Sequence, residues 1–425
     1  MANSYDDLLR NDDITEIIET LCALAAVSEN KMIIHLRTAP LDCGGVAIDL
    51  CQSNNEIVQL KDGKATLVSL GSKTLFTRSS TMMSLPFPAK NGNIKKLLKY
   101  LNMSEEHKWL FIAWLSFTIS HPKHITPYPF LDIKGEMGSG KSFLCKLVIR
   151  SLIDNNSCGV QTFPKDERDL AISSQNQLVL IYDNMRSLNK KVSDLLCTVC
   201  TGGSYTKRKL YTDNDESVLS FHSPMVLNGI HNFVLEPDLA SRCITIQMLR
   251  IDKDQRRDES TISKNFNKDV PCIFKGLLDL SAKLLKIANT VGVINSERMI
   301  DFSRWLAALE VVIKKPMGML QSMYSRNIKS TMFTTLQENF LAMALLNFSA
   351  NLPDGNWQGT PTDLLQSLSR ITPQHVINRR SDWPTNPIAM SKRLRIIEKS
   401  LESQGVTLEF SQGKSRQISI QFTQQ

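Results

Sequence analysis

Gly135-Glu136-Met137-Gly138-Ser139-Gly140-Lys141-Ser142 is the stretch that decides how this chain is read. It follows the apolar run Phe130-Leu-Asp-Ile-Lys134 and precedes Phe143-Leu-Cys-Lys-Leu-Val-Ile-Arg150. The spacing fits GxxxxGK[ST], and the flanks predict a strand before the loop and a helix after it. Glycines let such a loop wrap tightly, so that backbone N–H groups turn inward toward phosphate oxygens. The start of the helix adds partial positive charge there. Lys141 is placed to reach the β- and γ-phosphates, and Ser142 to ligate Mg²⁺. Residues 135–142 are therefore expected to bind ATP with Mg²⁺. The strand–loop–helix setting argues against a chance match in a loose loop.

Forty-two residues beyond Lys141, Leu178-Val-Leu-Ile-Tyr-Asp183 reads as a buried strand ending in an acid. That arrangement sets a carboxylate, Asp183, beside the metal. The next residue, Asn184, carries an amide that orients water but cannot take its proton. Either another carboxylate (Glu136 or Asp194) then activates water, or hydrolysis is slow. A third run, Ser223-Pro-Met-Val-Leu-Asn228, predicts a strand whose terminal amide senses the γ-phosphate. Arg242 of Asp238-Leu-Ala-Ser-Arg242 either reaches a neighbouring subunit's γ-phosphate or pairs locally with Asp238.

Outside residues 130–250, where strands and helices alternate, the texture changes. Residues 1–30 carry a helical apolar stripe. Short apolar runs punctuated by Gly, Asn and Asp predict a small β module up to about residue 78. Asp62-Gly63 inside it is a tight hairpin turn. Helices are expected over 94–101, over 105–120 and through most of 270–350. A helix at 362–368, a basic loop, a helix at 388–404 and strands at 407–410 and 417–422 predict a winged helix. The expected division is 1–85 β module, 86–129 helical linker, 130–265 ATPase core, 266–350 helical lid and 351–425 winged helix.

Apolar residues make up 42% and charged residues 22% of the 425, which excludes wholesale disorder. The longest apolar run, 109–119, is too short to span a bilayer. The acidic start lacks the pattern of a secretory signal, so a cytoplasmic protein is expected. Nine irregularly spaced cysteines read as reduced thiols, with Cys197 and Cys200 as core residues of a helix rather than a metal pair. The net charge of +8 is mild, but from Trp357 onward nine cations face five anions, an excess of four. Half of the positive excess thus lies in the winged-helix segment, with Lys392, Arg393 and Lys399 on the prospective recognition helix and Lys414 and Arg416 on the wing.

These strings, in this order, resemble an AAA+ ATPase. They resemble more narrowly the superfamily-3 helicases and the ATP-binding replication proteins of prophages, plasmids and phage satellites. The residues that carry the likeness are the loop at 135–142, Glu167-Arg-Asp-Leu170, Leu180-Ile-Tyr-Asp-Asn184, Lys207-Arg-Lys209, Asn228 and Asp238-Leu-Ala-Ser-Arg242. The resemblance implies a five-stranded P-loop core with a helical lid, and a ring, a hexamer, with ATP sites between subunits. Many ATPases of this kind have Glu where this chain has Asn184. Helicases of the superfamily place a DNA-tracking hairpin between the Asp183 and Asn228 strands. Here that interval holds glycines, tyrosines and Lys207, Arg208 and Lys209, which suit phosphate and base contacts. A solvated charged hairpin is the plainer alternative. Arg298 and Arg304 are either lid-side nucleotide contacts or solvent-facing helical arginines. The expected function is an ATP-dependent DNA helicase or translocase replicating a mobile element. An ATP-controlled switch or loader without unwinding is the alternative.

Overall fold

The computed structural model describes residues 11–28, 32–42, 44–71, 74–208, 216–230, 232–252, 258–379, 383–411 and 417–423. The chain opens with helix α1 (Asn11–Val27). Strands β1 (Ile34–Leu36), β2 (Thr38–Pro40), β3 (Val46–Asp49), β4 (Glu56–Lys61), β5 (Lys64–Ser69) and β6 (Leu75–Thr77) follow. β2 to β5 form an antiparallel meander, and β1 pairs with β6 in parallel. The β4–β5 turn has Asp62 at φ 52° and Gly63 at φ 80°, the two positive values a tight hairpin demands.

A 3-10 turn (Ile94–Tyr100) leads to α2 (Glu105–Ser120). Sequence patterning assigns 86–129 to a linker, but α2 is buried at every residue from Leu110 to Ser120. A helix apolar all round has no face to give to solvent, so it becomes core. The connector before it lies along a later helix, α8 (Glu259–Ile287), where Ala89 and Asn93 donate N–H to the Pro271 and Cys272 carbonyls. A Cβ on Gly276 would stand 2.3 Å from Ile94 N, so only glycine permits that approach.

The central layer is built from β7 (Phe130–Lys134), β8 (Leu180–Met185), β11 (Met225–Gly229) and β12 (Cys243–Gln247). Their order is β12-β7-β11-β8, all parallel, so the last-but-one strand in sequence lies between β7 and β8. Four strands stand where the resemblance implies five. Among the described residues the fifth position holds a single parallel bridge, Gln161 to Tyr182. Between strands run α3 (Lys141–Phe143), a π-wound turn (Leu144–Ile149), α4 (Arg150–Leu152), α5 (Glu167–Asn176) and α6 (Lys190–Thr201). β9 (Gly203–Arg208) and β10 (Glu216–Phe221) form an antiparallel hairpin, and α7 (Pro237–Ala240) precedes β12.

After α8 come α9 (Ile300–Val312), α10 (Met319–Gln337) and α11 (Phe340–Ala350). One apolar core runs from Val46 in the meander to Ile328 in α10. A second core gathers β13 (Asn356–Gly359), α12 (Pro361–Ile371), α14 (Pro387–Glu402), β14 (Val406–Phe410) and β15 (Ile418–Phe422), with α13 (Gln374–Arg379) beside it. Leu341, Ala342 and Leu345 of α11 belong to this second core together with Leu336 at the end of α10, so α11 packs with the C-terminal unit as well as on α10. The basic loop expected after α12 contains α13, and β13 is a strand that the sequence pattern misses. The three strands lie in the order β13-β15-β14. No helix among the described residues is long and apolar enough to cross a membrane.

Candidate functional site

The glycine loop leaves β7 at Lys134 and enters α3 at Lys141. Gly138 and Gly140 have φ of 79° and 93°, values that side-chain-bearing residues rarely take. A Cβ on Gly135 would sit 2.7 Å from Ser139 Oγ and 2.9 Å from Met248 Cβ. The loop is thus tight by construction. Asn102 pins it, donating Nδ2 to Ser139 O at 3.1 Å and to Leu249 O at 2.7 Å. No local pattern around Asn102 announces this role.

One buried side-chain group in the loop, Ser139 Oγ, has no hydrogen-bond partner. Gly140, at the N-cap, supplies no side-chain acceptor to the first helical N–H groups. Lys141 Nζ folds onto the loop, donating to Gly135 O at 2.6 Å and Glu136 O at 2.8 Å. Burial lowers the pKa of Lys141, and the charge of Asp183 opposes that shift. Ser142 is exposed at the helix start, Met137 is 84% exposed at the loop tip, and Glu136 lies 3.9 Å from Arg250. An inward amine, open N–H groups and an orphan hydroxyl form a cradle suited to an anion.

Asp183 and Asn228 meet beside this cradle. Asn228 Nδ2 donates to Asp183 Oδ1 at 2.7 Å, and Asn184 N donates to the same oxygen at 2.7 Å. A bulge makes this possible. β11 pairs Leu227 with Tyr182 and then Gly229 with Met185, so β8 carries one extra residue there. Asn184 absorbs the bulge at φ 58°, a conformation asparagine tolerates better than most residues. Its side chain is exposed. Asn228 is buried, and its Oδ1 has no partner.

Arg242 sits in the local arrangement. Its Nη1 lies 2.5 Å from Asp238 Oδ2 and 2.7 Å from Asp238 O, and the residue is buried. To act on a neighbouring subunit it must leave this pocket. Arg298 shares the same carboxylate through Asp238 Oδ1 and is about half exposed. Burial alone would raise the Asp238 pKa. A hydrogen bond from Cys197 and the Arg242 and Arg298 charges outweigh it, so the pKa is lowered. Arg304 pairs with Asp301 at 3.1 Å on its own helix. Cys197 and Cys200 are buried in α6, and burial pushes both thiols up to about 12.

Lys207 and Arg208 close β9, opposite Ser217 and Glu216 of β10; Lys209 lies outside the described residues. The hairpin root is clasped by His222. Its Nδ1 accepts from His124 N at 2.6 Å, which leaves Nε2 to donate to Cys200 O at 3.1 Å. Lys392 and Lys399 are exposed on α14, Arg393 is partly exposed, and Arg395 stacks 4.5 Å over the Phe410 ring. Met390, Leu394, Ile397 and Leu401 turn the opposite stripe of α14 into the core. Lys414 and Arg416 lie outside the described residues.

A further buried cluster escaped sequence reasoning. Arg37, Asp154 and Arg150 form a fully buried ion triad at 3.3 and 3.5 Å. Arg37 also donates to the carbonyls of Asp49, Met83 and Asn155, tying the β meander to the end of the loop helix.

Solved structures offer only distant likenesses. The chain resembles the apo C-terminal region of NrS-1, with 13% identity, a TM-score of 0.40, and coverage of 98% of this chain and 91% of that one. It also resembles JCV helicase with a bound phenylacetamide compound, with 14% identity, a TM-score of 0.24, and coverage of 56% of this chain and 69% of that one. No curated protein matches. A model of the actinomycete integrative conjugative element replication protein matches residues 94–326, and a model of the RepA C-terminal domain of such elements matches residues 341–425. With more than half of its length matched by the first model alone, the chain belongs to the family of replication proteins of actinomycete integrative conjugative elements.

Proposed function

We propose that this replication protein is an ATPase that remodels DNA, as a helicase or translocase. The observation that carries the reading is the Asn228–Asp183 contact next to the glycine loop and Lys141. Bound ATP with Mg²⁺ would supply the phosphoanhydride that is cleaved and the charge that neutralises its oxygens. Loop N–H groups and Lys141 would hold the phosphates, Ser142 and Asp183 would hold the metal, and Asn228 would orient water. Glu136, Met137, Gly138, Ser139 and Gly140 complete the cradle around Gly135.

On this reading residues 130–265 act as a P-loop core, 266–350 as its helical lid and 351–425 as a winged helix. The sheet order β13-β15-β14 behind α14 supports the last of these. Lys207, Arg208 and Lys209 on the hairpin would engage DNA phosphates, and Lys392, Arg393, Lys414 and Arg416 would engage duplex. Assembly into a homo-oligomeric ring, a hexamer, would bring Arg242 or Arg298 to a neighbour's site. One observation favours a second reading, an ATP-controlled switch or loader. Asn184 puts an exposed amide where a carboxylate would activate water, and a slow ATPase suits a switch better than a motor.

Strand displacement on a forked duplex separates the two. The helicase reading expects ATP-dependent unwinding by the wild type and none by Lys141→Ala. ATP binding with slow, DNA-independent hydrolysis and no unwinding would replace it with the switch.

A further inference from the structure

Every described side chain from Asp12 to Ser28 is exposed, although α1 is rich in apolar residues. Ile17, Leu21 and Leu24 are 47%, 59% and 65% exposed. Ile14, Ile17, Leu21 and Leu24 are spaced by three, four and three residues, the seven-residue repeat of a helix–helix seam. A helix of 17 residues is marginal in water unless such a stripe is covered.

The charges show what covers it. α1 carries Asp12, Asp13, Glu16 and Glu19 and no lysine or arginine. With Ile14 and Leu21 at the first seam position, Asp12, Glu16 and Glu19 fall on the far face. The positions bordering the seam are Ile18, Thr20, Ala25 and Val27, all uncharged, with Asp13 at one end. Helices that lie on anionic membranes carry lysine and arginine on the polar face, which α1 lacks. A basic protein groove would call for acids beside the seam, and they lie away from it. A second α1 meets an apolar seam with almost no like charge along its borders.

We propose that α1 pairs with α1 of a second copy of this chain through Ile14, Ile17, Leu21 and Leu24. The pairing goes beyond the ATPase reading, because α1 lies outside both matched regions, 94–326 and 341–425. If the cores also assemble, they raise the local concentration of α1 and strengthen the pairing.

The test uses the full chain carrying Cys22→Ser, with one new cysteine at the seam (Leu21→Cys) or on the far face (Glu19→Cys). A short flexible bismaleimide should link Leu21→Cys chains several-fold more efficiently than Glu19→Cys chains, against the Cys22→Ser background. Adding Ile17→Glu and Leu24→Glu should abolish the Leu21→Cys link while fluorescent-ATP binding is unchanged. Equal linking at both positions, linking at neither, or a link that survives the two glutamates overturns the pairing. Nucleotide-driven assembly, followed by sedimentation with and without Lys141→Ala, reports on the ATPase reading and fails separately.

Discussion

Asn228 Nδ2 donates to Asp183 Oδ1 at 2.7 Å, joining the ends of two neighbouring parallel strands. The two residues are 45 positions apart, and the bulge at Asn184 aligns them. On the proposed ATPase reading this contact would fix a carboxylate oxygen for the metal, and the buried, unpartnered Oδ1 of the amide would be the group that meets water or phosphate. Asn228→Ala should therefore slow ATP hydrolysis about a hundredfold, as loss of one fixed polar group in such a site does. Nucleotide affinity should change by only a few-fold. Phosphate release and fluorescent-nucleotide titration measure the two, and a parallel fall in both would mark Asn228 as a structural group.

The loop geometry makes a second, narrower forecast. Gly135→Ala adds a methyl group 2.7 Å from Ser139 Oγ and 2.9 Å from Met248 Cβ, closer than real Cβ contacts come. The loop must open to relieve it. Nucleotide binding should be lost, with the melting temperature lowered by a few degrees because the clash also presses on Met248 of the main core. Calorimetric titration with ATP and a thermal melt on the same sample check this. Wild-type affinity in the variant would show that the tight loop is not what binds.

Arg37 lies at φ 63° with its guanidinium fully buried against Asp154. Replacing it with methionine leaves Asp154 with Arg150 as its one remaining ion partner among the described residues and takes a donor from three carbonyls, of which Asn155 O keeps the Met83 N–H. Removing one member of a buried ion cluster costs about 3–5 kcal/mol. Arg37→Met should shift the urea midpoint accordingly. Limited proteolysis should cut first in the β meander, because that contact seats it on the core.

Acid should weaken the fold through two histidines. Burial lowers His121 to about 4; burial, with the charges of His124 and Lys123 adding, lowers His222 to about 4. Both are neutral in the native protein at neutral pH, and both take up a proton on unfolding once the pH falls below their ordinary 6.5. Their stabilisation is complete above about 6.5 and is lost as the pH drops from there toward 4, at about 1.4 kcal/mol per pH unit per group. Protonating His222 Nδ1 also removes the acceptor for His124 N–H at the hairpin root. Melting curves between pH 7.5 and 5 should show this slope, and His222→Gln should lessen it.

Local features were legible along the chain because they depend on neighbours in sequence. The tight turn from Gly135 to Ser142 between a strand and a helix was legible from its spacing and flanks, and the Asp62-Gly63 turn followed from the backbone angles it requires. The α14 stripe was visible through its helical period. The hairpin between Asp183 and Asn228 was expected only through the family resemblance, and β9 and β10 pair there.

Other features depend on which distant segments meet, and no local rule encodes that choice. The apolar 109–119 run read as part of a helix too short to span a bilayer; packing buried every residue from Leu110 to Ser120. Arg242 is the exception, because its contact with Asp238 is local, one helical turn away. α11 joined the C-terminal core because its apolar residues found α12, α14 and β15 there. The composition and the spacing of the glycine loop were enough to define a globular chain with a tight turn between a strand and a helix. Strand order, the bulge at Asn184 and the buried Arg37–Asp154–Arg150 triad came only with the tertiary structure, because each is a pairing between residues that the chain keeps far apart until it folds.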